Sequence, residues 1–489
     1  MKKKIIVLLT LMAVILGMCA CSGTKKTATL NEDDESKPYE IVWYYVGYTG
    51  NKDQQMVNDK VNEYLKKKIN ATLVMSPLDW GPFATKVENI MSSGEKCDIR
   101  WINSSEYSTT VFKGAFLSLD ELMDKYAPKT KEILGDELME GVKIDGKIYA
   151  VQNNKDNGRW YSVYYRKDIA DKYNMDLSGV KTLEDLYPFL EIVKKNEPNM
   201  FAYGIGGGRT PWQTSGYDDF GGNGLVGAVN ESDEVVNLYE TDLFMNSALK
   251  AREMYNKGFL NTDAAVNDNV TDLISTNRIF CYIGSDRPGQ IEEFNASKNV
   301  EWASVRLTEE ATCWTSDAQG SMLAIPISCK NPARVMKFIE LLNTDKYLNN
   351  LINFGIEDVH YKKVSENRIS LIEDSGYTLK GKQYMMGNMM INYLYDGESD
   401  TKHEDLIKFN NSAKKVKSFG FVPNLESVKI QVTSCNNVVN EYKKVIEYGM
   451  VDPKDNIAKF NEKLKQAGID EIVKEVQSQY DEWLAKKEK

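Results

Sequence analysis

Histidine is almost missing from this chain: two occur in 489 residues, His360 and His403. Zinc sites and hydrolytic triads draw heavily on imidazole, so that scarcity removes most of both classes. A basic stripe is missing too. Lys and Arg number 61 against 71 Asp and Glu, a net charge of −10, which argues against a nucleic-acid footprint. The seven cysteines are scattered and form no CxxC knuckle or disulfide framework. No P-loop, H-E-x-x-H or G-x-S-x-G occurs, and no short-period repeat. Gly204 to Gly208 fails as a dinucleotide fingerprint because Arg209 and Thr210 hold its last positions. These absences leave no catalytic residue, metal ligand or cofactor to assign. The rest of the composition, 42% apolar and 27% charged, is that of an ordinary folded protein.

What is present begins at the amino terminus. Lys2, Lys3 and Lys4 precede an apolar run from Ile5 to Met18, too short and wrongly flanked for a membrane span. The run ends in Met18-Cys19-Ala20-Cys21-Ser22-Gly23, which resembles a bacterial lipobox. Cys21, after the small Ala20, is the better lipidation site and Cys19 the poorer; Met18 stands where Leu is commoner. Cleavage before Cys21 removes the three lysines and takes the charge from −10 to −13. The other cysteines read as small buried apolar residues. Residues 22–38 are polar and aperiodic, a solvated tether.

Strands and helices then alternate. Ile41–Val46, Leu73–Met75 and Ile99–Ile102 read as strands, with helical faces at Val57, Val61, Leu65, Ile69 and at Phe83, Val87, Ile90 between them. This spacing predicts βαβ units around a mostly parallel sheet. Asp53 is expected to cap the first helix, and Ser118–Glu121 and Thr182–Asp185 read as capping boxes. Lys143–Tyr149 reads as a hairpin turning on Asp145-Gly146. Tyr161–Tyr165 and Ile279–Ile283 read as strands, and Val335–Leu342 as a helical face. Asp452-Pro453 starts a helix, and Gly468 separates two amphipathic helices at the carboxyl end.

Ligands of open α/β sheets bind outside the carboxyl ends of strands. Aromatic and neutral polar residues fall there: Tyr48, Trp80, Ser104 and Tyr107 after the first three strands. Trp212 and Tyr217 lie in a glycine-rich loop, and Trp314 and Gln319 in a later one; Asn153 and Asp286 follow strands. Aromatic faces suit the C–H face of a sugar, and the polar groups suit its hydroxyls. Arg209 suits an anionic group or a salt bridge. Trp43 and Trp101 lie inside strands and read as packing, and Trp483 as a docking residue of the last helix. A catalytic carboxylate pair is defined by its separation in space, so a secreted glycosidase or lyase stays open as an alternative.

Several short stretches follow one another in a known order: the lipobox, Trp80-Gly81, Ser93-Gly94-Glu95 with Asp98, Asp145 to Val151, Tyr165-Arg166-Lys167-Asp168 and Asn331-Pro332-Ala333. The chain thereby resembles family 1 extracellular solute-binding lipoproteins of carbohydrate ABC transporters. Phe354-Gly-Ile356 with His360-Tyr361, Gly420-Phe421-Val422, Val451-Asp452-Pro453 and Leu464 to Trp483 resemble the subgroup with a carboxy-terminal extension. Val151-Gln152-Asn153 departs from the family, which usually has Pro there. The resemblance implies a two-lobed α/β fold of the type II periplasmic-binding-protein kind, with a helical carboxy-terminal extension. It divides the chain into a signal peptide (1–20), a tether (21–38), an N-terminal lobe (39–152 and 286–325), a C-terminal lobe (153–285 and 326–410) and the extension (411–489). Crossovers are expected near 152–155, 284–288 and 325–328. The implied function is non-enzymatic: a monomer, lipid-anchored at the outer face of the cell membrane, that captures a sugar or oligosaccharide and hands it to ABC permease subunits. A peptide or other small solute is the alternative ligand.

Overall fold

The computed structural model describes residues 33–487 except 208, 212–215, 263, 265–269 and 297–298. The signal segment, Cys19, Cys21, most of the expected tether and Trp212 lie outside the described residues. Among the described residues no helix is long and apolar enough to cross a membrane.

The first sheet has the strand order β2-β1-β3-β9-β4. Its members are β1 (Tyr39–Val46), β2 (Ala71–Leu78), β3 (Ile99–Ile102), β4 (Ala150–Gln152) and β9 (Met322–Ala324). β1 runs parallel to β2 and β3, whereas β9 runs antiparallel to β3 and β4. Both faces of β1 are covered, which is why it reads as an unbroken apolar run rather than an alternating one. Trp43 and Trp101 are packing residues, at 0% and 2% exposure.

The second sheet has the order β8-β5-β7-β6, from β5 (Trp160–Arg166), β6 (Phe201–Tyr203), β7 (Ile279–Asp286) and β8 (Trp302–Arg306). The chain passes from the first sheet to the second between β4 and β5, as expected. The other two crossovers differ. After β7 the chain stays with the second sheet through β8, which pairs with β5 from Trp302↔Arg166 to Arg306↔Ser162. It returns to the first sheet only at β9. Helices Pro332–Thr344 and Lys346–Phe354 then pack on first-lobe helices, Pro332–Thr344 against Asp120–Tyr126 and Pro128–Leu134, and Lys346–Phe354 against Gln54–Ile69. Residues 302–306 therefore belong with the second lobe and 332–354 with the first, which corrects the expected boundaries at 286 and 326. A single apolar helical face cannot say which sheet it covers.

A separate apolar cluster joins residues 220–248 to residues 421–480. It unites helix Asp242–Asn256 and strands Tyr217–Asp218, Val226–Val229 and Val236–Asn237 with helices Lys429–Glu447, Pro453–Gln466 and Ile469–Lys487. Asp452 accepts from the Lys454 amide ahead of Pro453, and Gly468 sits at φ 96° between the last two helices. Trp483 docks against Phe421 and Tyr480, with ring centroids 5.7 and 5.8 Å away.

Local expectations divide. Asp145 and Gly146, at φ 50° and 75°, make the two-residue turn between Lys143–Ile144 and Lys147–Ile148. Thr182 and Asp185 cap each other, Asp185 N–H donating to Thr182 Oγ1 and Thr182 N–H to the Asp185 carboxylate. Ser118 does not cap: its hydroxyl donates to Asp120 Oδ2, and the helix begins at Asp120 itself. Nor does Asp53, whose carboxylate lies 3.3 Å from His360 Nε2.

Candidate functional site

The amino-terminal end of β5 lies opposite the carboxyl end of β7, with Trp160 facing Asp286. Beside this edge are two adjoining pockets of about 220 and 150 Å³. They share Gly216, Tyr217 and Trp314, and together reach the size of small-molecule sites, roughly 300–1,000 Å³. The smaller is lined by Arg159, Tyr161, Asp219, Gly222 and Ser316 as well. The larger adds Asp218, Glu231, Thr312, Lys417, Ser418 and Tyr480 among others.

The groove is aromatic with a polar rim. Trp314 stands 6.4 Å from Tyr161, ring to ring, and the Arg159 guanidinium lies 4.9 Å above its indole. Arg159 is also paired with Asp317, which accepts the Trp314 N–H at 2.9 Å through its other oxygen. Burial disfavours the charge on Arg159, but the Asp317 carboxylate overrides it and holds the guanidinium protonated. Asp219 accepts from the Gly222 N–H at 3.1 Å, and burial pushes its carboxyl up against the pull of Lys443. Asp218 is 7% exposed; burial lifts its carboxyl to about 6, although Ser418 donates to it. The remaining ion pairs on the rim, Glu231 with Lys414 and Lys417 with Asp233, are exposed and weak.

The expected site residues fall into distinct places. Tyr217 and Trp314 line the groove. Tyr48 and Trp80 are 42% and 56% exposed beyond β1 and β2, in loops joined by a Thr49–Asp79 hydrogen bond of 3.2 Å. Trp80 packs on Trp101 at 5.6 Å, and Lys380 lies 5.2 Å over the Tyr48 ring. Ser104 opens the helix after β3 and sits against Gly222, whose added Cβ would meet Ser104 Oγ at 3.8 Å. The groove loop thus comes close to the first lobe.

Four expected residues are engaged within the fold instead. Tyr107 is 0% exposed, its hydroxyl donating to Val142 O and accepting from Tyr149 N–H. Asn153 is buried between Ser321 Oγ and the Gly387 N–H, so it pins the crossover. Asp286 accepts from Ser162, Tyr164 and the Arg287 amide. Gln319 is 0% exposed and donates to Gly141 O, while its Oε1 is buried with no hydrogen-bond partner. Asn153 follows β4, Asp286 ends β7, Tyr107 lies in the helix after β3 and Gln319 ends a short helix, and in each the polar side-chain atoms are taken up by protein. Arg209 lies 5.4 Å over the Tyr282 ring.

Arg159, Tyr161, Asp219 and Ser316 were not singled out from sequence. The available signal was Asp218-Asp219 beside the glycines of 216–224, an acid pair on a loop that needs unusual backbone angles. Among the described residues no group of three or more His, Cys, Asp or Glu could hold a metal ion. His403 is lowered to about 4 by burial, and His360 accepts from the Ile356 N–H; neither lines the groove.

Two sheets linked by crossovers, with a ligand-sized groove beside a sheet edge, define a solute-binding architecture. The chain belongs to the bacterial extracellular solute-binding protein family, whose model matches residues 47–348. A further match, to a domain of unknown function (DUF3502), covers residues 417–485. The chain is 28% identical over 495 residues to a carbohydrate ABC transporter substrate-binding protein of Streptococcus pneumoniae serotype 4, covering 98% of this chain and 97% of that one. Lipoprotein LipO of Bacillus subtilis is 23% identical over 383 residues, 72% of each chain. Among solved structures, the N-glycan transport solute binding protein (NgtS) of Streptococcus pneumoniae superposes with a TM-score of 0.84 at 26% identity, over 92% of this chain and 100% of that one. The same protein in complex with Man5GlcNAc gives 0.77 at 27% identity, over 92% and 99%. The expected family and the two-lobed α/β fold with carboxy-terminal helices are thus borne out.

Proposed function

We propose that this chain captures an oligosaccharide in the groove and delivers it unchanged to the permease of an ABC importer. It would act as a monomer held at the outer face of the membrane by lipid on Cys21. The observation that carries this reading is the pairing of Trp314 and Tyr217 with Arg159, Asp219 and Ser316 around one cavity. The rings offer apolar faces to C–H groups, and the polar side chains offer partners to hydroxyls that would otherwise lose water unpaired. Tyr48, Trp80 and Ser104 extend the surface onto the first lobe. The likeness to a carbohydrate-binding relative over nearly the whole chain supports the same ligand class.

A titration of tryptophan fluorescence with an oligosaccharide panel that includes Man5GlcNAc tests the proposal. Saturable quenching by at least one sugar is expected. Silence to every sugar, together with a response to peptides, moves the assignment to a peptide receptor.

One feature favours a second reading, glycoside hydrolysis: Asp218 lines the groove with its carboxyl raised to about 6. Both of its oxygens are engaged, one by Ser418 and one by the Phe220 N–H at 2.9 Å. Asp317 is engaged by Arg159 and the Trp314 amide. Neither is a free acid or base, and incubation with the bound sugar is expected to release no product.

A further inference from the structure

We infer that the carboxy-terminal domain, residues 417–485, is a working part of the ligand site: it builds one wall of the groove and fixes the loop that forms another. This rests on the groove being the ligand site.

The wall is direct. Lys417, Ser418 and Tyr480 line the larger pocket. Two backbone ties hold this wall against the turn that carries Trp314. The Gly420 N–H donates to Thr315 Oγ1 at 3.0 Å, and Thr315 Oγ1 donates to Ser418 O at 3.4 Å. Trp314 therefore stands on a turn whose position depends on residues 418–420.

The loop is held indirectly. Phe220, Gly221 and Gly222 have φ of 49°, 84° and 95°. A left-handed conformation costs a side-chain-bearing residue about 1–2 kcal/mol, so Phe220 must be held from outside. The holder is the carboxy-terminal domain. Phe220 is 1% exposed, with Phe421 5.0 Å away edge-on and Tyr480 also 5.0 Å away. Val422 lies 3.5 Å from where a Gly221 Cβ would be. Asp218 is tied to Ser418 and to the Phe220 amide, which joins both devices at one carboxylate. The loop so fixed presents Asp219 and Gly222 to the smaller pocket and meets Ser104 of the first lobe. Ser418, Phe421 and Tyr480 are thus positioning residues.

Ser418→Ala in the full chain tests this, with Ile472→Val as the control. Ile472 is 0% exposed in the same apolar cluster, eight residues before Tyr480 and about 12 Å along the helix. Two measurements are made. Affinity for Man5GlcNAc, or the best sugar of the panel, is expected to fall about tenfold in Ser418→Ala, the scale of one hydrogen bond to a charged group. Amide hydrogen exchange without ligand is expected to quicken at Phe220 and Gly222 in Ser418→Ala. The control is expected to lose some stability and to change neither reading. If wild type binds sugar and Ser418→Ala binds as well with the same exchange, the inference falls and the proposed function stands. If no sugar binds the wild type, the proposed function falls, and the exchange measurement alone decides whether the domain holds the loop. Equal effects from the control would reduce the domain to general stability and overturn the inference.

Discussion

Two buried aspartates sit in opposite surroundings. Asp33, at the start of the described chain, has a side chain 1% exposed. Burial pushes its carboxyl up, but Arg334, Lys337 and Asn331 all donate to it and hold it at about 2. Arg334, itself 0% exposed, also donates to the carbonyls of Asp34, Lys37 and Asn70. Asp218 is buried almost as deeply, at 7%, but has one hydroxyl and one amide for partners and Asp219 beside it. Its carboxyl sits at about 6. The first is a structural clamp with its charge fully met. The second is an under-compensated group lining the proposed ligand groove, where the fold tolerates a cost that a purely structural position would not need.

Breaking the clamp is expected to have the largest effect. Arg334→Met strands the Asp33 charge in the interior, and losing one partner of a buried pair costs about 3–5 kcal/mol. Thermal unfolding should show a large fall in Tm, while sugar affinity of the folded fraction is unchanged. A Tm close to wild type would mean that water or Lys337 replaces Arg334, and that the clamp is not what separates the two aspartates. The groove gives the mirror image. Trp314→Ala is expected to weaken sugar binding by about 2 kcal/mol, the size of an aromatic anchor, with a much smaller change in stability. Calorimetric titration beside a melting curve separates the two. A loss of stability comparable to the loss of binding would make Trp314 a core residue.

The comparison also marks what sequence patterning carries. Strands β1 to β3, the Asp145-Gly146 turn and the carboxy-terminal helices were legible because each is set by local periodicity or by a residue pair a few positions apart. The lobe to which 332–354 belongs was not legible, since an apolar helical stripe matches either sheet. Trp314 and Tyr217, which stand out as large aromatics in loops, do line the groove. Tyr107, Asn153 and Gln319 turn into the fold: position on a loop or after a strand fixes where the backbone goes and leaves open whether the side chain turns to the cleft or to the core. The groove-lining positions of Arg159 and Asp219 were not legible, because each is set by partners far along the chain, Asp317 and Lys443. Asp33 lies in the stretch whose composition reads as tether, and its clamp is invisible there for the same reason, its partners lying some three hundred positions away.

The smallest expected effect is the most diagnostic. A carboxyl raised to about 6 in the folded state and near 4 when unfolded binds more protons folded than unfolded between those pH values. Its contribution to stability therefore falls as pH rises from 4 to 6 and stays low above 6. Asp33, lowered to about 2, does the reverse: its contribution is present above pH 4 and is lost as pH falls toward 2. Asp218→Asn keeps the shape, and the Ser418 hydroxyl can turn to accept from the new amide. The variant is expected to gain about 1 kcal/mol at pH 7.5, because the ionisation cost is gone while burial of an amide still costs something. At pH 4, where Asp218 is already protonated, it should match wild type. Chemical denaturation at the two pH values reads the difference directly. An equal shift at both would mean that Asp218 is not held protonated by its surroundings, and the contrast with Asp33 would then be one of packing alone.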